Sequence, residues 1–151
     1  MKKFKGAIGL LALTLFLAAC GGEEASTRTF EMENNGIVTT MVYTTEGDKV
    51  TKQSTENLIQ YDLAGIESKE QAQELFDPLI GEFQGIEGIT HQMEYEEDQA
   101  VETMEIDYET VDFDEIENLP GMSFSDDPKD NGVSMEKSLE ILESQGFKEV
   151  E

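Results

Sequence analysis

The chain has 151 residues, the length of a single domain, with 10 Lys and Arg against 34 Asp and Glu and a net charge of −24. Lys2, Lys3 and Lys5 precede Cys20 and the first acidic residue is Glu23, so the 132 residues from Cys20 onward hold 7 cations against 34 acids and carry −27. This excludes a nucleic-acid binder, which needs a basic face to neutralise phosphates, and disfavours adhesion of the body to anionic lipid. Apolar residues make up 38% of the chain and fall in helix and strand periods, so it reads as folded despite its charge.

The first element is a leader. A short cationic segment, Met1-Lys-Lys-Phe-Lys5, precedes an apolar run from Gly6 to Ala19. The run has about 14 residues, too few for a stable transmembrane helix, which needs roughly 20. Its flanks are those of a secretory signal peptide. It ends in Leu17-Ala-Ala-Cys20, which resembles a bacterial lipobox. On this reading Cys20 receives an S-diacylglyceryl group and becomes the first residue of the mature chain. Two acyl chains anchor stably, whereas one binds a membrane only marginally. Cys20 is the only cysteine, so no intramolecular disulfide forms and the fold rests on its core. Residues 1–19 are then the signal peptide, 20–27 the lipidated cysteine and tether, and 28–151 one domain. The expected location is the extracytoplasmic face of the membrane: the cell surface in a monoderm, the outer membrane in a diderm.

Strand signals follow. Residues 29–32 and 37–43 flank Asn34-Asn-Gly36, a strong hairpin signal. With Asn35 and Gly36 in the turn, Phe30 faces Met41 and Met32 faces Thr39. Glu46-Gly-Asp-Lys49 turns into a long polar strand over residues 50–61, whose two faces differ too little to fix its register. Ser68 and Gln71 form a capping box for a helix with the stripe Ala72, Leu75, Phe76, Leu79, Ile80 and Phe83, read as core. Pro78 should kink this helix or end its regular part, and Gly85 and Gly88 close it. A second hairpin pairs residues 89–95 with 100–108. A turn at Asp98-Gln99 sets Tyr95 against Glu102, Met93 against Met104, His91 against Ile106 and Ile89 against Tyr108. The other face then carries Thr90, Gln92, Glu94, Glu105 and Asp107. A final helix starts at Ser134, carries Met135, Leu139 and Leu142, and ends at Gly146 and Phe147. The order βββαββα specifies an α+β fold, an antiparallel sheet of about five strands with two helices packed on one face.

Several of these pieces together resemble a family. Gly47-Asp-Lys-Val50, Lys52-Gln-Ser54, Ile59-Gln60, the helix with Leu79, Val111-Asp-Phe113 and Gly146-Phe-Lys-Glu-Val150 stand in the order found in YehR-like bacterial lipoproteins, behind the same kind of lipobox. The resemblance spans nearly the whole mature chain. It implies a small α+β lipoprotein domain of unknown biochemical role, with no catalytic residues to transfer.

The residues offer little catalytic chemistry. The one cysteine is consumed by lipid, and the one histidine, His91, alternates with Ile89 and Met93 on the inward face. No Ser-Xaa-Xaa-Lys pair or Gly-Xaa-Ser-Xaa-Gly elbow occurs. One histidine makes a dedicated zinc site improbable. Calcium is the sharper option, since it takes oxygen ligands. Asp126, Asp127 and Asp130 lie near Asn131 and Gly132, but Lys129 and Ser138 then occupy the third and twelfth positions of a calcium loop. Glu96, Glu97 and Asp98 at the second hairpin tip could hold such an ion loosely. The reading is therefore a non-catalytic binding or accessory module with no cofactor beyond its lipid. It meets the membrane through that lipid and an envelope protein or small ligand through Glu94, Glu105 and Asp107. The alternatives are a calcium-responsive protein and, less favoured, a hydrolase using His91. Cys20→Ala is expected to move the protein to the soluble fraction in detergent-free fractionation; retention on membranes would contradict the anchor.

Overall fold

The computed structural model describes residues 24–119, 122, 124 and 128–151. The leader, Cys20, Asp126 and Asp127 lie outside the described residues. Among the described residues the strands are β1 (Ala25–Asn34), β2 (Ile37–Glu46), β3 (Lys49–Gln60), β4 (Ile89–Tyr95), β5 (Gln99–Asp107), β6 (Val133–Ser134) and β7 (Lys148–Val150). The helices are α1 (Tyr61–Ala64), α2 (Lys69–Phe83), α3 (Phe113–Ile116), α4 (Pro128–Asn131) and α5 (Met135–Gln145). One antiparallel sheet runs β4-β5-β3-β2-β1-β7, with β6 paired to the start of β3. The α+β class and the main elements are as expected, but the strand number is seven rather than about five, and three one-turn helices are added. Strands of two and three residues are too short to display a period, and only their tertiary partners define them.

The first hairpin has the expected register, Phe30 opposite Met41 and Met32 opposite Thr39. Asn35 and Gly36 have φ of +50° and +77°, the two left-handed positions a tight hairpin turn requires. Gly36 is constrained a second way, because a Cβ there would lie 2.3 Å from the Leu63 Cβ. The second hairpin differs from expectation by two residues: Tyr95 faces Ala100, Met93 faces Glu102, His91 faces Met104 and Ile89 faces Ile106. The Glu96 N–H donates to the Gln99 carbonyl at 2.9 Å, so Glu97 and Asp98 form the turn. A slip of two keeps every side chain on its expected face, which is why the face assignment survives the wrong partners.

The strand register writes the inner face of the sheet as cross-strand rows. Arg28, Tyr43, Gln53, Ile106 and Ile89 form the first, and Phe30, Met41, Thr55, Met104 and His91 the second. Met32, Thr39, Asn57, Glu102 and Met93 form the third, and Asn34, Ile37, Ile59, Ala100 and Tyr95 the fourth. Residues of α5 join Phe30, Tyr43 and Ile106 in one hydrophobic cluster, while Ala72 of α2 joins Ile59 and Ala100 in another. Between them the third row presents Thr39, Asn57 and Glu102, while Gln53 and Thr55 of β3 lie among the rows of the first cluster. The core is therefore two apolar bodies separated by a polar band.

Both long helices are capped as their sequences dictate. The Ser68 hydroxyl accepts from the Gln71 N–H at 3.3 Å, and the Gln71 side chain accepts from the Glu67 N–H at 2.6 Å. Of the two expected effects of Pro78, a kink or an end to the helix, the end does not occur: α2 continues through Pro78 to Phe83. Proline leaves the Glu74 carbonyl without its ladder donor, but both residues are exposed and water can serve that oxygen. The stripe of α2 is also only partly core: Ala72 and Phe83 are buried, whereas Leu75 and Leu79 are 51% and 44% exposed.

The head of α5 is held by the β2–β3 turn. Asp48 accepts from the Ser134 hydroxyl at 2.6 Å and the Glu136 N–H at 2.8 Å, and its carbonyl accepts from the Met135 N–H at 2.7 Å. At the other end Gly146, with φ of +96°, and Phe147 return N–H groups to Glu143 and Leu142. The Arg28 guanidinium then clasps the Glu149 carboxylate at 2.7 and 2.8 Å, fixing β7 on β1.

Two outcomes test this description. Gly36→Ala combines a left-handed φ with a backbone clash and should cost about 2–4 kcal/mol in urea unfolding. Gly65→Ala, with φ of +75° but open space around it, should cost only about 1 kcal/mol. The hydrogen bond from Ser134, followed by that from the Glu136 N–H, holds the Asp48 carboxyl below its ordinary 3.8. Its contribution is full above that value and is lost as pH falls through the lower folded-state value. Asp48→Asn should therefore melt below the native chain at neutral pH, with the gap closing as pH drops below 3.8.

Candidate functional site

One helix of α2's width cannot cover five strands. Helix α2 packs on β4 and β5, where the Tyr95 hydroxyl donates to Asp77 at 2.8 Å and the Phe83 ring meets His91 edge-on at 4.9 Å. On the side of β1, β2 and β3 a groove of 390 Å³ remains open. Phe76, Leu79 and Ile80 of α2 form one wall, and Met32, Ile37, Ile59 and Met93 of the sheet face them. Thr39, Asn57 and Glu102 supply polar groups to the lining. This mixture, mostly apolar with a few placed polar atoms, is the usual composition of a ligand site.

The polar groups are ordered as a chain. The Thr39 hydroxyl donates to the Asn57 carbonyl oxygen at 2.6 Å, and the Asn57 amide donates to Glu102 Oε2 at 2.7 Å. His91 Nε2 lies 2.7 Å from Glu102 Oε1. Thr39, Asn57 and Glu102 face one another across β2, β3 and β5, and His91 reaches Glu102 diagonally from β4. The Asn57 amide and His91 Nε2 meet the two oxygens of the Glu102 side chain, and the tautomer of His91 with its hydrogen on Nε2 makes the second contact a donation. His91 Nδ1 is then a buried acceptor, without a partner among the described residues. The His91 side chain is 2% exposed and that of Glu102 23%, so the carboxylate meets the groove and the imidazole does not.

Glu102, Asn57 and Thr39 were missed as a group from sequence. Glu102 had the one available signal, a carboxylate on the inward face of an otherwise apolar hairpin. The residues chosen from sequence are dispersed. Glu94, Glu105 and Asp107 do share the outer face, but in separate rows, with Glu94 beside Val101 and Glu105 between Ser54 and Thr90. Asp107 is committed to structure: the Glu109 N–H and then Lys52, 3.3 Å away, hold its carboxyl below the usual range. Threonine and valine stand between these acids on the outer face. Glu96, Glu97 and Asp98 stand at the β4–β5 turn, where Glu96 accepts from the Gln99 amide at 3.0 Å. Asp130 is exposed on α4. Among the described residues no three His, Cys, Asp or Glu side chains converge on a metal position. Nor is any described helix long and apolar enough to cross a membrane.

Comparison with known proteins places this architecture. The family described as protein of unknown function DUF1307 matches residues 26–148. The chain is 40% identical over 150 residues to the uncharacterized lipoprotein Lmo0207 of Listeria monocytogenes, covering 99% of this chain and 97% of that protein. It is 33% identical over 153 residues to the uncharacterized lipoprotein YehR of Escherichia coli K12, covering 99% of each. The NMR structure of E. coli YehR superposes with a TM-score of 0.73 at 32% identity, over 86% of this chain and 94% of that one. An NMR structure of a Streptococcus pneumoniae TIGR4 protein shares the fold, with a TM-score of 0.58 at 14% identity over 99% and 98% of the two chains. Matched by the family model over residues 26–148 and by these relatives over nearly its whole length, the chain belongs to the DUF1307 family, that of the YehR-like bacterial lipoproteins.

Proposed function

We propose that this protein is a lipid-anchored, non-catalytic binding module on the extracytoplasmic side of the membrane, and that the groove beside α2 is its recognition site. The observation that carries the reading is the exposed apolar rim: Leu79, on a stripe that a structural helix would bury, is 44% exposed and lines the groove. An apolar wall left open beside a carboxylate suits an amphiphilic partner, either an envelope polypeptide or a small ligand. The non-catalytic part is supported by the burial of His91 and by the composition of its network, in which threonine, asparagine and glutamate accompany it and no serine or cysteine does.

The position of the groove fits an anchor at Cys20. Strand β1 runs from Ala25 to Asn34, about 30 Å at 3.3 Å per residue, and the groove lies at the Asn34 end. Cys20 is five residues before Ala25, at most about 18 Å of extended chain. The anchor therefore joins the opposite pole, and the groove is presented away from the bilayer.

A photo-crosslinking residue at Leu79 of the anchored protein in intact cells should capture one dominant species, while the same residue at Thr40 on the outer face captures none. Capture only at Thr40, or equally at both, would contradict the assignment. Hydrolysis of an ester or peptide panel that disappears in a folded His91→Gln variant would overturn the non-catalytic reading.

A further inference from the structure

Strand β4 ends the sheet, and among the described residues no strand pairs with its outer side. The ladder with β5 shows which of its main-chain groups face that side. The Asp107 N–H donates to the Gly88 carbonyl at 2.8 Å and the Glu96 N–H to the Gln99 carbonyl at 2.9 Å. Hydrogen-bonded and non-bonded pairs alternate along an antiparallel ladder. Thr90, Gln92 and Glu94 therefore turn their N–H and C=O groups to β5, and His91, Met93 and Tyr95 turn theirs outward. Accessibility agrees. His91 is half-buried as a residue while its side chain is 2% exposed, so the surface it shows to solvent is main chain.

Sheets commonly blunt such an edge with lysine, proline, a bulge or a very short strand. Strand β4 has none of these: Ile89-Thr-His-Gln-Met-Glu-Tyr95 runs seven residues and pairs with β5 without a shift of register. At the other end of the sheet the three residues of β7 close the middle of β1, and the Arg28–Glu149 clasp holds them there. The β4 edge also lies in a field of one sign. No lysine or arginine occurs between Lys69 and Lys129, and Glu87, Glu94, Glu96, Glu97 and Asp98 stand on β4 or beside its ends.

We propose that the β4 edge receives an extended polypeptide bearing lysine or arginine, added to the sheet as an antiparallel strand. The outward N–H and C=O groups of His91, Met93 and Tyr95 supply the ladder, and the alternate side chains of the partner supply specificity. Partner positions on the outer face lie beside Glu94 and suit cations. Those on the inner face prolong the line of His91, Met93 and Tyr95 and suit apolar side chains. The surrounding acids draw a basic segment to the edge. A second copy of this chain fits less well, because each carries −27 from Cys20 onward. Two β4 strands in full antiparallel overlap would also set Glu97 opposite Glu87 of the other copy, and like charges so placed are destabilising. The proposal uses main-chain groups of β4 and none of the side chains that line the groove beside α2, so failure of either reading leaves the other intact.

The test uses the full chain in zwitterionic detergent micelles and a synthetic peptide of alternating lysine and valine that matches β4 in length. Its glutamate–valine counterpart is the charge control. Two further lysine–valine peptides carry N-methyl groups, one on every valine amide and one on every lysine amide. Binding is followed by NMR hydrogen exchange. The lysine–valine peptide should slow exchange of the His91, Met93 and Tyr95 amides, which the free protein leaves open, and the glutamate–valine peptide should not. In an antiparallel ladder with valine facing inward, the valine amides meet β4 and the lysine amides face water. Methylating the valine amides should therefore abolish protection, and methylating the lysine amides should preserve it. Glu94→Lys, a change at an exposed side chain, should weaken binding about threefold or more, the scale of one cross-strand charge pair reversed. Equal effects of the two methylations, loss with the lysine set alone, or no protection at about 1 mM peptide, the weak limit of specific recognition, would overturn the proposal. Protection of the same amides without peptide, rising with protein concentration, would overturn it in favour of a second copy.

Discussion

The inner face of β3 is polar at the point where a central strand would ordinarily be most apolar, and the other features of the inner face accommodate that fact. Gln53, Thr55 and Asn57 point into the protein from the middle of the sheet, with strands paired on both sides. Polar groups beneath helices require partners, because burying them unpaired costs on the order of 1–3 kcal/mol each. The Tyr108 hydroxyl serves Gln53 at 2.8 Å, Gln53 serves Thr55 at 3.2 Å, and Asn57 is bracketed by Thr39 and Glu102. The third row, with Thr39, Asn57 and Glu102, divides the apolar interior. One cluster gathers under α5 with Phe30, Tyr43 and Ile116, the other under α2 with Ile59, Ala72 and Ala100.

This division explains where the groove is. Helix α2 buries its stripe against the fourth row and the β4–β5 side, since the centre of the third row, between Met32 and Met93, offers Thr39, Asn57 and Glu102 instead of hydrocarbon. Phe76 and Ile80 are accordingly half-buried and Leu79 remains open. The carboxylate of Glu102 is held in place by its donors, so a partner meets a fixed charge beside an apolar wall. Fixed polar groups reduce the reorganisation that binding would otherwise require.

Much of the architecture was legible in the sequence because local chemistry specified it. Asn35-Gly36 set the first hairpin to the residue, since only a few residue types accept two successive left-handed conformations. Ser68 with Gln71, and Ser134 with Gly146, marked the helix ends through their capping bonds. The second hairpin turns through Glu97-Asp98, which contains no glycine or asparagine, and its register was read two residues off. β6 and β7 were invisible because two or three residues acquire strand geometry only from the strands they join. The stripe of α2 was read as wholly buried because periodicity reports which residues share a face, not how wide the covering surface is. The site was hidden for a related reason. Thr39, Asn57, Glu102 and His91 come from four strands, and only the cross-strand register brings them into line.

The polar chain depends most directly on the Asn57 amide and His91 Nε2 both donating to Glu102. Long-range ¹⁵N–¹H NMR of His91, at a pH where the ring is neutral, reads this from the tautomer. A protonated Nε2 with a bare Nδ1 is the expected result, since Nε2 must donate to the carboxylate 2.7 Å away. A ring protonated at Nδ1 would contradict it, because Nε2 and Glu102 would then face each other as two acceptors and the chain across β2, β3, β5 and β4 would not exist.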